Sequence, residues 1–389
     1  MKRRNLFKNT AAALGAGVAG SRAWTGLAEE SESMINEVLK TGPVKFTRDN
    51  LDLEPAEYAS LLATLAKAPG IASDSYSLGG VVQELEQKIA TRLGKEAAIF
   101  MPTGTLANQL AVTAQSGPKS RRVLALAKSH LFNDAGDGTQ ALGALSVIPI
   151  GGEEATFSLE AVKAEVARCA QSKVALRIGT IAIESPVRRC DNQRFGFDEL
   201  KSIATFAREE KIAVHLDGAR LFIESAYSGI DVAEYARHCD SVYVSLYKCF
   251  HSASGAVLAG PSSMIEGLYH QRRMYGGGVP QAWPYAAVAL AFVDGMTERL
   301  GSAVQVFEDF KKALKPKTDF LFEPISNGTN VSLLTLRRGN AHSFRSKLRE
   351  RDIHLPAPDA NTGVFKLKTN ETLNRSNAKD LAEAFESCL

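Results

Sequence analysis

No part of the sequence approaches the roughly 18 consecutive apolar residues that a membrane-spanning helix requires, so no integral helical span is expected. The five cysteines, at 169, 190, 239, 249 and 388, form no CxxC pair and no zinc spacing. No metal centre and no disulfide framework are expected from them. Cys249 stands beside Lys248, but adjacent side chains in a strand or turn point apart, so packing is the expected role. The charge balance is nearly neutral, with 46 basic and 43 acidic residues for a net +3. No basic stripe is interleaved with aromatics, which excludes a nucleic-acid partner. Internal repeats are absent, as are low-complexity tracts beyond the N-terminus. What remains is a chain of 389 residues, 45% hydrophobic and 23% charged. That is the composition of an ordinary globular protein with room for a sizeable core and two to three domains.

Acidic residues are also missing from the first 28 positions, the first being Glu29. Met1 to Lys8 carries the consecutive pair Arg3-Arg4, and Thr10 to Gly20 is a mildly apolar stretch rich in Ala and Gly. The pattern resembles a twin-arginine export signal over residues 1–28, with small-residue cleavage candidates ending at Ala23 or Ala28. It implies a periplasmic or secreted protein carried across the membrane already folded. A basic, frayed N-terminal helix is the alternative.

Beyond it, Glu30 to Gly42 reads as a helix, 55–68 carries apolar positions at helical spacing, and Val81 to Leu93 is amphipathic. From there to about 300, short apolar strands alternate with helices, the mark of an α/β protein with a mostly parallel sheet. Val123–Leu126, Thr180–Ile183 and Ile212–Leu216 are such strands, and Asp198–Glu210 is a helix between two of them. After about 305 the order becomes helix, strand, helix, strand, helix, with strands at Thr329–Leu334 and Gly363–Leu367 and a closing helix at Ala378–Cys388. The expected division is a signal at 1–28, an N-terminal segment at 29–80, a large domain at 81–300 and a smaller α/β domain at 301–389.

Two polar groups stand out against this background. The apolar strand Ile212–Leu216 ends on Asp217-Gly218, and a second strand, Ser241 to Leu246, leads to Lys248. Ligands of open α/β sheets sit at the carboxyl ends of strands, so both groups fall on one rim. A lysine able to form a Schiff base and an acid able to hold a pyridine nitrogen protonated suit pyridoxal phosphate. A surface aspartate and a solvated lysine would give the same pattern. Residues 99–113 add a short apolar run, a Thr103-Gly104-Thr105 turn and a helix start, where free N–H groups favour an anion such as a phosphate. A capped helix with no ligand would read alike. His215, two residues before Asp217, reads as structural.

These segments, in order, resemble the threonine aldolase branch of the β-eliminating lyases, which are fold-type I pyridoxal-phosphate enzymes. Gly94 to Gln109 resembles the family's phosphate-binding segment and Ser129-His130 its cofactor-stacking histidine. Asp217-Gly218-Ala219-Arg220 resembles its pyridine-nitrogen and carboxylate motif. Lys248 falls on the Schiff-base lysine, followed by Gly255–Gly260 and by the glycine turn Met274–Gly278. The similarity spans about 44–389. It implies a fold-type I large domain with a smaller C-terminal domain, and pyridoxal phosphate seated by Thr103, Gly104 and Thr105. It implies His130 over the ring, Asp217 at its nitrogen and Lys248 as anchor. Arg220, with Lys366, would take a substrate carboxylate, and Arg48 and Tyr76 complete the expected substrate side. It further implies an amino acid substrate and a homodimer or homotetramer with active sites at the subunit interface.

The departures fall on the substrate side. Val187 stands where the family has a histidine, Pro280 for an arginine, Tyr247 for the serine before the lysine, and Arg48 for a small serine. The last-domain arginine aligns with Lys366, although Arg375 is close enough to compete. The expected reaction is retro-aldol cleavage of a β-hydroxy amino acid to glycine and an aldehyde. Threonine is expected to be a poor substrate because Val187 supplies no base. β-Elimination, decarboxylation or racemisation is the alternative, and a catalytically weak exported binding protein is a further one.

Overall fold

The computed structural model describes Ser33 and residues 36–389, apart from 69, 70, 119 and 175. The export-signal reading of residues 1–28 lies outside the described residues; of the helix expected at 30–42, Ser33 and residues 36–40 are helical, and 41–42 bend away. Among the described residues no helix is long and apolar enough to cross a membrane.

Seven strands form the main sheet: β1 (Ala97–Met101), β2 (Arg122–Leu126), β3 (Ser146–Ile150), β4 (Ile178–Glu184), β5 (Ala213–Asp217), β6 (Ser241–Ser245) and β7 (Ala256–Gly260). Their order is β1-β7-β6-β5-β4-β2-β3, parallel throughout except that β7 runs against both β1 and β6. Helices cover both faces, so the central strands are continuous apolar runs; every residue of β4, β6 and β7 is buried. The Trp283–Val293 helix shows the same logic. It is apolar nearly all round, with seven buried residues, because it packs into the core against the Gly80–Arg92 helix.

A second, antiparallel sheet pairs Val331–Leu336 with Phe320–Glu323 on one side and Phe365–Lys368 on the other. The Met296–Leu314, Ala341–Arg349 and Ala378–Cys388 helices flank it. Phenylalanines fill this layer, with Phe310 and Phe385 ring centroids 4.8 Å apart and Phe344 and Phe385 5.4 Å apart. Phe46 joins them, 6.1 Å from Phe307. The two-residue strand Val44–Lys45 also pairs in parallel with Ile353–His354. The stretch just after residue 43 is therefore built onto the C-terminal layer.

The elements match the sequence pattern with two informative shifts. The strand leading to Lys248 stops at Ser245, and Leu246–Cys249 is a helical turn. Asn50 Nδ2 donates to the Tyr247 carbonyl at 2.7 Å and the Phe250 N–H to that of Leu246 at 2.9 Å, bonds a strand end would not make. The Thr329–Leu334 strand begins instead at Val331, because Thr329 Oγ1 bonds the Asn192 carbonyl at 2.8 Å and Asn330 turns inward.

A buried ionic knot joins the layers. Glu371 accepts from His251 Nε2 at 2.9 Å and from Arg299 Nε at 2.5 Å, while His251 Nδ1 accepts the Leu51 N–H at 3.2 Å. Burial alone would raise the Glu371 pKa, but His251 and Arg299 outweigh it and hold it below the ordinary 4.5. A depressed folded-state pKa gives stability that is complete above pH 4.5 and is lost as pH falls further. Glu371→Ala should lower the unfolding free energy by about 3–5 kcal/mol at pH 7, by leaving buried partners uncompensated. In urea titrations the gap from the native chain should narrow as pH drops below about 4.5; a variant of native stability at pH 7 would rule out this role.

Candidate active site

The parallel strands β4, β5 and β6 end side by side, and their register sets Glu184 beside Asp217 and Asp217 beside Tyr243. Their carboxyl ends line a cavity of about 240 Å³ that also takes in Thr103, Gly104, Thr105, His130, Arg188, Arg220, Lys248 and Ser254. It opens beside a second space of about 380 Å³, sharing His130, Arg188, Arg220, Tyr247 and Lys248 and adding Thr47, Arg48, Asp49, Asn50, Asp134 and Lys368.

One wall is a helix start. Thr103 caps the Gly104–Gln115 helix by accepting the Leu106 N–H at 3.2 Å, and the first N–H groups of a helix have no partner within it. Gly104 is there because nothing larger fits: a Cβ at that position would lie 1.9 Å from the Tyr243 hydroxyl. The first turn thus approaches the cavity with bare backbone at Gly104, flanked by Thr103 and Thr105.

Asp217 terminates a chain of polar groups that runs back through the sheet. Asn108 Nδ2 donates to Asp217 Oδ2, so Asn108 Oδ1 faces His215 Nε2, 2.9 Å away, and must accept from it. His215 Nδ1 is then an acceptor for the Ser241 hydroxyl at 2.8 Å, and Ser241 accepts in turn from Gln115 Nε2 at 2.8 Å. Every donor points toward Asp217, whose other oxygen takes the Ala219 N–H at 3.2 Å. Burial pushes the His215 pKa down to about 4, so the ring is neutral and carries its proton on Nε2.

His130 opens the short His130–Asn133 helix, and its N–H donates to Glu184. Its Nδ1 is buried without a partner among the described residues. Burial lowers its pKa, leaving a neutral ring with a free nitrogen. The other Glu184 oxygen accepts the Arg188 N–H at 2.9 Å. Burial, then the neighbouring Asp217, raises the Glu184 pKa. Lys248 is pushed down to about 8 by burial and then by Arg220, which makes its amine a competent nucleophile near neutral pH.

Arg220 is held by Asp49, Nε to Oδ2 at 2.9 Å, and the other Asp49 oxygen takes Lys368 Nζ at 3.0 Å and Asn330 Nδ2 at 3.1 Å. Burial would raise the Asp49 pKa, but these partners hold it far below the usual carboxylate range.

Thr103, Gly104, Thr105, His130, Asp217, Arg220 and Lys248 thus come together as the sequence suggests, and Arg48 borders the larger space. Lys366 does not join them. Its ammonium is exposed and pairs with Asp191 at 2.6 Å; Lys368, two residues along the same strand, is the lysine that reaches the cavity. Arg375, the competing candidate, bonds the Pro43 and Val38 carbonyls. Tyr76 lines neither space: its exposed ring lies under Arg273, 4.7 Å from the guanidinium. Asn108, Glu184, Arg188, Asp49 and Lys368 are the lining or supporting groups that sequence reasoning passed over. Asn108 alone left a trace, four residues after Gly104 on the buried face of its helix.

The Beta-eliminating lyase family matches residues 66–331, the span that carries all of the main sheet and the lining of the smaller cavity. The chain belongs to that family. It is therefore a lyase of fold type I, and its cofactor is pyridoxal phosphate. It is similar to the low specificity L-threonine aldolase of Escherichia coli K12, 25% identical over 342 residues, covering 85% of this chain and 95% of that one. The low-specificity L-threonine aldolase 1 of Arabidopsis thaliana is 25% identical over 277 residues, or 70% and 77% of the two chains. A solved Listeria monocytogenes protein assigned as an L-allo-threonine aldolase superposes with a TM-score of 0.72 at 25% identity, over 91% of this chain and 98% of that one.

The residues fit the cofactor. The bare helix start offers donors for a phosphate, the His130 ring lines the same space, and an acid and a nucleophilic amine stand beside it. With the Lys248 pKa at about 8, pyridoxal phosphate uptake by the cofactor-free protein should quicken about tenfold per pH unit from pH 6 toward 8 and level off above. A stopped-flow rate flat across that range would contradict the shifted amine.

Proposed function

We propose that the protein cleaves a β-hydroxy amino acid between Cα and Cβ to glycine and an aldehyde. The observation that carries this reading is His130. A neutral imidazole lines the cavity that holds Lys248 and Asp217. Retro-aldol cleavage needs such a group, because the β-hydroxyl must give up its proton as the bond breaks. Lys248 would anchor the cofactor covalently, Asp217 would hold its pyridine nitrogen protonated, and the Thr103–Thr105 turn would receive its phosphate. Bound pyridoxal phosphate supplies the electron sink for the pair released at Cα. Arg220 and Lys368 receive the α-carboxylate, which aligns the scissile bond with the ring. His130 accepts the hydroxyl proton and can return one to Cα.

The test is glycine release from a panel of β-hydroxy amino acids. Lys248→Ala should abolish it and remove the borohydride-trapped adduct; an adduct at another lysine would sink the anchor assignment. His130→Ala should lower kcat by about 10²–10⁴, with the cofactor still bound. Ammonia and the 2-oxo acid of the intact carbon skeleton in place of glycine would point to β-elimination instead.

Export and assembly belong to the same reading. The basic, acid-free N-terminal segment supports twin-arginine export to the periplasm or medium. Changing Arg3 and Arg4 together to Lys should hold the full-length chain in the cytoplasm, and mature protein outside the inner membrane would refute the signal. Exposed Tyr76 and Leu78, joined through the Tyr76–Arg273 stack to exposed Met274, offer an apolar edge for a second copy beside the site.

A further inference from the structure

The larger space differs from an ordinary small-molecule pocket in what lines it. It contains no aliphatic side chain; apart from the Tyr247 ring, the Thr47 methyl and His130, its lining groups are Asn50 and charged residues. Ligand pockets are usually lined chiefly by apolar groups with a few polar ones. A methyl or phenyl side chain extending into it would find only the Tyr247 ring, the Thr47 methyl, His130 and the carbon stems of charged side chains to pack against.

The charges are also unequal. Arg48, Arg188, Arg220, Lys248 and Lys368 face only Asp49 and Asp134 among the lining residues. The imbalance resolves into two centres. At the inner one, Asp49 serves both Arg220 and Lys368. At the outer one, Asp134 serves two arginines. Arg189 takes both of its oxygens, Nε to Oδ2 at 3.1 Å and Nη2 to Oδ1 at 2.8 Å, and Arg188 adds Nη2 to Oδ2 at 2.5 Å. Of the two arginines, Arg188 is the one that lines the cavity. Each centre therefore presents one positive charge more than its carboxylate neutralises.

Arg188 is also well placed. Its N–H is fixed to Glu184, whose other oxygen takes the His130 N–H, so one buried carboxylate sets the arginine and the imidazole side by side. Arg48, paired with Asp52 at 2.8 Å and largely exposed, lines the same space from the N-terminal segment.

We propose that Arg188, with Arg48, forms a subsite for a second carboxylate, carried on the substrate's side chain. This rests on the retro-aldol reading and narrows its substrate to β-hydroxy amino acids with an acidic side chain. The inner centre takes the α-carboxylate and the outer one the distal carboxylate, so the β-hydroxyl between them falls at His130. For β-hydroxyaspartate, the simplest member, the Cα–Cβ bond breaks and the hydroxyl proton passes to His130. The Cβ–O bond becomes the carbonyl of glyoxylate, and a proton added at Cα completes glycine.

Binding and cleavage separate the two claims. Titrating the holoenzyme's cofactor absorbance with aspartate and with its neutral isostere asparagine reads the subsite without turnover. Aspartate should bind at least about tenfold tighter, the scale of a charge-assisted pair, and lose that advantage as salt rises. Arg188→Leu should bring the ratio to about one, Arg188→Lys should keep part of it, and Arg188→Glu should invert it. Equal affinities in the native enzyme would overturn the subsite. So would an Arg188→Leu variant that keeps the ratio, or one that weakens pyridoxal phosphate itself while both amino acids change alike, since the arginine would then belong to the cofactor phosphate. If aspartate is preferred yet β-hydroxyaspartate yields no glycine, the subsite stands and the retro-aldol reading fails. The expected result is glycine and glyoxylate from β-hydroxyaspartate at a higher kcat/KM than glycine and acetaldehyde from threonine.

Discussion

A carboxylate buried at the centre of an apolar sheet is the constraint around which this molecule is organised. Asp217 sits buried at the end of a strand whose last four residues are all buried, where an unsupported charge would be too costly to keep. The support is a file of donors, Gln115, Ser241, His215 and Asn108, drawn from one helix and two neighbouring strands. Because the file has a single direction, each member's identity is dictated by the next. An imidazole accepts on one side and donates on the other only when it is neutral, and burial keeps His215 in that form.

Asp49 does the corresponding work between layers. It comes from the segment that follows the Val44–Lys45 strand, yet its partners are Arg220 just past the end of a main-sheet strand, Lys368 in the second sheet and Asn330 just before it. Three distant parts of the chain meet on one carboxylate at the cavity wall. The Glu371 knot repeats the device a short way off, tying His251, Arg299 and Leu51. The cavity walls are therefore held by charge in places where a purely apolar contact would allow sliding.

Much of this was legible in the sequence, for identifiable reasons. Buried parallel strands show as unbroken apolar runs, so β4 and β5 and the acid ending β5 are visible without coordinates. Gly104 is less distinct, since a Thr-Gly-Thr helix start reads the same with or without a ligand, and its role emerges only from the order of the motifs around it. What escapes is partnership across sequence. His215 reads as a core histidine until the strand register sets it opposite Ser241 and the helix brings Asn108 to its other nitrogen. Lys366 and Lys368 share one face of a strand, and only the position of Asp49 decides which of them enters the site. Tyr76 is near the glycine turn in space but faces outward in this chain.

The 184–190 segment bears on how such an enzyme could be re-engineered. By resemblance Val187 stands in a histidine's place, but its side chain is wholly buried in the core and its backbone is pinned by the pairing with Gln193. Writing histidine back at that position would push an imidazole into packed apolar surroundings and leave the cavity wall unchanged. The unit of exchange is the whole loop, from the glutamate that anchors it to the arginine pair that closes it. Grafting that loop as one piece between relatives is the route by which side-chain preference could be moved without disturbing the buried file behind Asp217.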